Sequence, residues 1–252
     1  MFINAKILSG FAINAFDGEL GKVEEFYFDD ESWAIRYLVV ETGGWLGGRQ
    51  VLISPFSITG VDMEAKRVDV SLTMDQVKNS PGIDTELPVS RQHEAEYSGY
   101  YGFPYYWGGP NLWGPAYVPS GLAIAMDTPI QAAAEKARRE SADSHLRSTE
   151  SITGYTIEAR DGEIGHVDGF VIDDENWLIR YVEVATRNWW PGKKVLISPR
   201  WMERISWAES RVYVGLTREA IQTGPEYVES EPLTRDYENQ MHIHYGRDPY
   251  WM

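Results

Sequence analysis

The chain has 252 residues, no cysteine, and 38 acidic against 23 basic side chains, for a formal net charge of −15. The absence of cysteine excludes disulfides, thiol nucleophiles and cysteine-ligated metals. The excess of acid without a basic stripe argues against a nucleic-acid partner and an anionic membrane surface. The first residues carry no long apolar run, and the uncharged residues 97–126 are broken by proline and glycine, so we expect a cytoplasmic protein without a membrane span.

The sequence repeats itself at a spacing of 144 residues, and residues 9–107 align with residues 153–251 without a gap. The segment VLISP at 51–55, for example, returns unchanged at 195–199. Two copies of one unit predict a single fold that is built twice. The predicted domains are a first repeat, a Gly/Pro-rich aromatic segment with a linker helix, a second repeat and an acidic aromatic tail: 1–96, 97–149, 150–226 and 227–252.

Short β-branched and aromatic runs alternate with turn residues in each copy, which is typical of a small all-β barrel. Asp17-Gly18 and its counterpart Asp161-Gly162 predict tight hairpins, because glycine accepts a positive φ. The acidic runs 29–31 and 173–175 are interpreted as solvated turns between long strands, with a calcium site as the less favoured alternative. Six strands are predicted in the first copy, with counterparts 144 residues later, at 10–15, 22–28, 33–41, 49–53, 57–61 and 67–72.

Helix signals follow the last strand of each copy and also lie between the copies. Thr73 with Gln76 has the spacing of a capping box, and Thr217 opens the matching segment of the second copy. Thr128 is a predicted N-cap for an alanine-rich linker helix that ends near His145.

The segment WAIRYLVVETGGWLGGRQVLISP, residues 33–55, closely resembles the PRC-barrel family, and WLIRYVEVATRNWWPGKKVLISP, residues 177–199, resembles it equally. This family includes the cytoplasmic part of the photosynthetic reaction centre H subunit and the C-terminal end of a ribosome maturation factor. The resemblance implies two tandem β-barrels that serve as a scaffold or docking surface, in a stress-related or regulatory role or with membrane electron-transfer complexes.

Two arginines interrupt otherwise apolar strands, and an unpaired buried charge is costly. We therefore predict structural ion pairs of Arg36 with Glu25 and of Arg180 with Asp168. A ligand site at these arginines is the alternative.

His242 and His244 are separated by one residue, so they lie on the same side of an extended strand and could chelate a metal. Glu238 and Asp248 are near enough to complete such a site. The competing interpretation, which we favour, is a mobile acidic tail with two exposed histidines. No cofactor is predicted.

The motif YGxxxYW occurs beyond each copy and contains Tyr106 with Trp107 and Tyr250 with Trp251. These rings either cover their own barrel or anchor a partner. The loops before VLISP add Trp45, Trp189 and Trp190 as partner-binding candidates.

Enzyme signatures such as a phosphate loop or a nucleophile elbow are missing, so no catalytic residue is predicted. The favoured function is a non-enzymatic scaffold that binds another protein, with homo-oligomers allowed. The alternative is a protein that binds a small ligand or a metal cation.

Overall fold

The computed structural model of the chain describes residues 1–82, 89–120, 145–186 and 193–251. It divides into two compact units. The first-repeat unit contains residues 7–149 and 174–178, and the second-repeat unit contains residues 1–6, 150–173 and 179–252. All of the predicted linker helix except its last residue lies outside the described residues.

The second-repeat unit begins with the first strand of the chain, β1 (Phe2–Asn4), and the first-repeat unit then forms a seven-stranded sheet. The strands of that sheet are β2 (Ala12–Ala15), β3 (Gly18–Asp29), β4 (Ile35–Glu41), β5 (Gln50–Ile53), β6 (Ile58–Asp62), β7 (Arg67–Val70) and β8 (Leu146–Ser148). Their order is β5-β4-β3-β2-β7-β6, with β8 on β3. The strands β2 and β7 are parallel, and the other pairs are antiparallel.

The second-repeat unit has the same strand order, β12-β11-β10-β9-β14-β13, with β1 on β10. Its further strands are β9 (Thr156–Ala159), β10 (Gly162–Asp173), β11 (Leu178–Thr186), β12 (Lys194–Ile197), β13 (Met202–Ser206) and β14 (Arg211–Val214). The predicted all-β fold is confirmed, with the six predicted strands of each repeat in place. Among the described strands each hydrogen-bonded path stays open, so the two sheets are not closed barrels.

The leading strand of each repeat lies in the sheet of the other repeat. Strand β1 pairs antiparallel with β10, with Phe2 opposite Asp173 and Asn4 opposite Val171. Strand β8, which stands 144 residues later, pairs with β3 in the equivalent register. The predicted boundaries group residues 1–6 with the first repeat, whereas the structure groups them with the second.

The described residues also contain six short α-helices: α1 (Ala5–Leu8), α2 (Met74–Lys78), α3 (Arg91–Tyr101), α4 (Thr149–Ile152), α5 (Arg218–Thr223) and α6 (Arg235–Tyr245). The predicted capping box of α2 is present, and Thr217 caps α5. Helices α3 and α6 were not predicted: α3 runs into the start of the predicted Gly/Pro-rich segment, and α6 lies within the predicted acidic tail. Ser90 and Thr234 cap their first turns, and Gly102 and Gly246 end them in the left-handed conformation.

Gly21 in β3 is required by a close approach of two strands. A Cβ at this position would fall on the carbonyl oxygen of Glu41, and φ is +151°. Gly165 in β10 stands in the same position against Ala185. Both repeats therefore use glycine where the long strand meets the end of its neighbour.

We predict that Gly21→Ala lowers the free energy of unfolding by about 1–3 kcal/mol, because the new methyl group forces the two backbones apart. Gly60→Ala is the matched control, since no atom lies within 4 Å of its Cβ position. Urea denaturation of both variants measures the difference. Equal stability of the two variants would contradict the close approach.

Candidate functional site

A buried glutamate on α3 is the centre of a polar cluster in the first-repeat unit. Glu94 has no exposed surface and accepts hydrogen bonds from the hydroxyls of Tyr106, at 2.6 Å, and Tyr37, at 3.3 Å. Arg91 lies 3.3 Å from its other oxygen, and so does His145 Nε2. Burial, followed by the charge of Glu94, raises the pKa of Tyr37 well above its ordinary value. The cluster holds α3 on the sheet.

The second-repeat unit builds the same cluster around Glu238 of α6, which is also fully buried. The hydroxyls of Tyr181 and Tyr250 donate to Glu238 at 2.6 and 3.2 Å, and Arg235 lies 3.0 Å away. Each of these residues stands 144 positions after its counterpart in the first cluster. The duplication has therefore kept the buried glutamate together with its two tyrosines and its arginine.

The predicted pairing of Arg36 with Glu25 is replaced by a different one. The strand register puts Glu25 opposite Val39, whereas Arg36 lies 3.6 Å from Asp29, at the end of the same ladder. Burial alone would raise the pKa of Asp29, but the Arg36 guanidinium and the backbone N–H of Ser32 lower it below its ordinary value. The acidic turn that starts at Asp29 thus holds a buried structural ion pair.

The same correction applies to Arg180, which pairs with Asp173 at 2.9 Å instead of Asp168. Its guanidinium carbon lies 4.1 Å from the centre of the Tyr250 ring, as that of Arg36 lies 3.8 Å from Tyr106. Both arginines are held between an aspartate and an aromatic ring of the YGxxxYW motif.

The motif aromatics pack against their own units. Tyr106 is 6% exposed, and Trp107, Tyr250 and Trp251 are half-buried. Arginines of α3 and α6 lie over the two tryptophans, at 4.4 Å for Arg91 and Trp107 and at 4.0 Å for Arg235 and Trp251. The rings therefore contribute to the fold, and partner binding through them stays a prediction.

The tryptophans of the loops are placed only in part. Trp45 is half-buried, and its indole N–H donates to the carbonyl of Leu20 at 2.7 Å. Trp189 and Trp190 lie outside the described residues.

The two histidines of the tail lie on helix α6 and not on an extended strand, so they point in different directions. His242 is buried against Trp201 and Trp251, and burial lowers its pKa. His244 Nε2 lies 2.8 Å from the carbonyl oxygen of Ala220. On a helix, the spacing that suggested a chelating pair separates the two rings. The expected mobile tail with two exposed histidines is also wrong, because His242 is buried on a helix.

A cluster that the sequence analysis missed lies in the second-repeat unit, and we call it the lysine–carboxylate cluster. It consists of Asp168, Glu183, Glu229, Lys6 and Lys194. The three carboxylates offer oxygens within 4.8 Å of one another, an arrangement that could hold a metal ion. The Lys194 ammonium group, however, contacts all three at 2.5–2.7 Å. Lysine thus supplies the positive charge that a cation would bring.

The charged groups of the lysine–carboxylate cluster shift one another's pKa values. Burial raises the pKa of Glu183 to about 7, with the hydrogen bond to Asp168 as the next cause. Burial acts in the same direction on Asp168, but hydrogen bonds to Glu183 and the lysines outweigh it and lower its pKa. Hydrogen bonds to the carboxylates likewise raise the pKa of Lys194 against the effect of burial. Glu183 is therefore the member whose charge is least stabilised.

One sequence signal could have revealed the lysine–carboxylate cluster. The first copy has Val39 and Gln50 at the positions of Glu183 and Lys194. A charge that appears in one copy of an apolar strand, with an opposite charge on the neighbouring strand, indicates a new buried pair. The register between β11 and β12 was needed to find this pair, because Glu183 lies directly opposite Leu196 and not opposite Lys194.

Four apolar side chains lie near α2 in the first-repeat unit, two of them exposed and two half-buried. We call this set the α2 face and define it by Phe16, Trp45, Met74 and Tyr100. Phe16, at the hairpin tip, is 76% exposed, and Tyr100 is 42% exposed. The first backbone N–H of α2 donates to Asp17 at 2.8 Å, and the Tyr100 hydroxyl donates to the carbonyl of Gln76 at 2.8 Å.

The end of α2 connects this surface to the loop of Trp45. Arg49, which closes that loop, donates to the carbonyl oxygen of Ser80 at 3.0 Å, just beyond α2. The hairpin tip, α2 and the loop are thereby held together by hydrogen bonds. They present aromatic and methionine side chains on one fixed framework.

The second repeat has different chemistry at the same positions. Arg160, Arg218 and His244 replace Phe16, Met74 and Tyr100, while Trp189 corresponds to Trp45. The His244 ring still contacts α5, at the carbonyl of Ala220, in the way that Tyr100 contacts α2. The framework is thus retained, whereas the apolar surface belongs to the first repeat.

The PRC-barrel domain family matches residues 12–77, which identifies the first repeat as a PRC-barrel domain. The second repeat has the same order and directions of strands. No curated protein matches the chain. Within the residues that the structure describes, no helix has both the length and the apolar character needed to cross a bilayer.

We predict that Glu94→Ala lowers the free energy of unfolding by about 3–5 kcal/mol, because it leaves Arg91 and two tyrosine hydroxyls without their shared acceptor. Glu96→Ala, on the exposed side of the same helix, is the control. Thermal and urea unfolding measure both variants. A loss below about 1 kcal/mol for Glu94→Ala would contradict the central role of the carboxylate.

We predict a pH dependence for Glu183. Because its folded pKa is raised to about 7 from 4.5, the folded state binds more protons than the unfolded state between these values. Its contribution to stability therefore falls as pH rises through this window. Relative to Glu183→Gln, the wild-type protein should lose up to about 3 kcal/mol of stability between pH 4.5 and 8.

Urea denaturation at pH 4.5, 6 and 8 measures this difference, and Glu219→Gln, at an exposed position, is the control. A stability difference between wild type and Glu183→Gln that stays constant over this range would show that Glu183 has no raised pKa.

Proposed function

We propose that the protein is a non-enzymatic scaffold that binds another protein through the α2 face of its first PRC-barrel domain. The observation that carries this proposal is the exposure of Phe16 and Tyr100 beside Met74. Aromatic residues and methionine are enriched at the centres of protein interfaces, and few of them account for most of the binding energy.

The comparison between the repeats supports this choice of surface. Packing of the core requires the residues that both copies share, such as Glu94 and Glu238 with their tyrosines. It does not require an exposed phenylalanine at the hairpin tip, because the second copy has Arg160 there. An exposed apolar residue that the fold can replace by arginine is therefore attributed to binding.

The surroundings of the α2 face suggest the chemistry of the partner. Asp17, Glu19 and Asp75 are exposed near the hairpin tip and the start of α2. An apolar centre with an acidic rim fits a protein surface that has apolar side chains surrounded by lysine or arginine. Binding should then weaken with salt, mainly through slower association.

The absence of catalysis is part of the proposal. The polar cluster of the first repeat brings a carboxylate, an arginine and two tyrosines together, but Glu94 is fully buried and bonded to the tyrosines. A general base must reach a proton of the substrate, and a buried structural carboxylate does not. This arrangement supports a structural role.

We predict that Phe16→Ala combined with Tyr100→Ala weakens partner binding at least tenfold, a loss of about 1.4 kcal/mol. The melting temperature should fall only slightly, because Tyr100→Ala removes a single hydrogen bond, to the carbonyl oxygen of Gln76. A photo-crosslinking amino acid at position 16 captures the partner in an extract of the source cells. Calorimetric titration with the purified partner then measures the affinity of each variant.

The matched control is Arg160→Ala combined with His244→Ala, which changes the same positions of the second repeat. It should leave the affinity unchanged. The proposal is wrong if the control weakens binding as much as the test variant, or if position 16 crosslinks to no other protein or only to a second copy of the chain.

A further inference from the structure

Four arginines of the second repeat stand where the first repeat has apolar side chains. Arg160, Arg200, Arg218 and Arg247 correspond to Phe16, Phe56, Met74 and Phe103. The arginines come from four separate parts of the chain, so no single stretch of the sequence is basic. The framework does not require these charges, because the first repeat builds the same strand order with apolar residues at the same positions. Arginines that the fold can replace in this way are attributed to binding.

Two of the guanidinium groups converge beside Gly215. A Cβ placed on Gly215 would lie 3.3 Å from Arg247 Nη2 and 3.5 Å from Arg160 Nη2. Arg247 Nη2 donates to the carbonyl oxygen of Gly215 at 2.9 Å, which orients its guanidinium group. The backbone N–H of Arg160 donates to the carbonyl oxygen of Leu216 at 2.9 Å. The turn after α6 and the hairpin before β10 thus hold two positive groups side by side.

A third arginine lies near this pair. Arg200 is exposed and directly precedes the 3-10 turn residue before β13. In the first repeat the positions of Arg200 and Arg247 are occupied by Phe56 and Phe103, whose ring centres are 5.6 Å apart. Because the two repeats share one framework, we expect Arg200 and Arg247 to be neighbours as well. We call Arg160, Arg200 and Arg247 the arginine face.

The buried His242 lies beside the arginine face. Its Nδ1 is 3.2 Å from the carbonyl oxygen of Arg247. Burial lowers the pKa of His242, and the charges of Arg200 and Arg235 act in the same direction. The hydrogen bond to Arg247 and the charge of Glu238 oppose this effect but do not cancel it. The arginines therefore disfavour a further positive charge at this place.

One carboxylate lies against the arginine face. Glu203 is 3.8 Å from Arg160, and the side chains of both residues are more than half exposed. An ion pair of this length and exposure contributes little, because water screens it. Within the part of the chain that the structure describes, Arg200 and Arg247 form no ion pair. The arginine face therefore has an excess of positive charge that Glu203 alone does not balance.

We propose that the arginine face binds a phosphate group, carried by a small phosphate ester or by a phosphorylated protein segment. A guanidinium group donates two parallel N–H bonds to phosphate oxygens, and such charge-assisted bonds are stronger than neutral ones. A phosphate monoester carries about two negative charges at neutral pH, so it can serve two arginines at once. A carboxylate brings one charge, which Glu203 already supplies. The site is separate from the α2 face, which belongs to the first repeat.

Amide chemical shifts of the isotope-labelled full chain test the proposal during titration with inorganic phosphate at low, constant ionic strength. For so small a ligand we expect a dissociation constant of about 1 mM. The signals of Arg160, Gly215 and Arg247 should move most. Arg247→Gln should weaken binding about tenfold, because it removes one of the two converging guanidinium groups. Glu203→Gln should strengthen binding about threefold, because it removes the carboxylate that competes for Arg160.

Charge-matched variants of the first repeat are the controls. Arg67 and Asp62 form an exposed ion pair there, at 3.7 Å. Arg67→Gln and Asp62→Asn change the net charge by the same amounts as the two test variants. Both controls should leave the affinity unchanged, because an exposed charge outside the arginine face is screened.

A peptide with one phosphoserine distinguishes the two sources of the phosphate group. Tighter binding of the peptide than of inorganic phosphate assigns the group to a protein segment, and equal or weaker binding assigns it to a small molecule.

The proposal is overturned if the three amide signals do not move at about 20 mM phosphate, well above the expected constant. It is also overturned if sodium chloride at the same ionic strength moves them equally, or if succinate binds as tightly as phosphate. Equal effects of Arg247→Gln and Arg67→Gln would likewise show that the chain responds to its general charge and not through this site.

Discussion

The assembly of both sheets depends on the unequal lengths of neighbouring strands. Strand β3 has 12 residues, whereas β2 has four and pairs only with its first half. On that side, Tyr27 to Asp29 would expose unpaired backbone groups in a buried region, which is costly. Strand β8 covers them, and β1 covers the same stretch of β10. A segment from outside the repeat core is thus a requirement of the fold.

Comparison of the two copies distinguishes the residues that this fold requires from those that it can replace. Both copies retain the buried glutamate, its tyrosines and the arginine stacked on a ring, because removing one member leaves a buried group without a partner. Elsewhere the copies have diverged. The first has an apolar α2 face, and the second has the lysine–carboxylate cluster. The residues that both copies share therefore account for the framework, and the α2 face of the first copy accounts for the proposed binding of a partner.

The sequence was sufficient for the local features and insufficient for the pairings. β-branched and aromatic runs between turn residues located the six strands of each repeat, and the capping box of α2 was visible from Thr73 and Gln76. The predicted ion pairs were wrong because they depend on the register between the strands. A bulge in the pairing of β3 with β4 brings Arg36 to Asp29. Strands of three residues, such as β1, carry too little periodicity to be found. The pairing of each leading strand with the sheet of the other repeat depends on residues that are distant in the sequence, so no local pattern predicts it.

The reciprocal placement of the leading strands is tested most directly by nuclear Overhauser effects in the unmodified, isotope-labelled chain. Cross-strand contacts of Ile3 with Ile172 and of Arg147 with Phe28 are expected from the observed registers. Contacts of Ile3 with Phe28 and of Arg147 with Ile172 would mean that each repeat keeps its own leading strand, which would contradict the account.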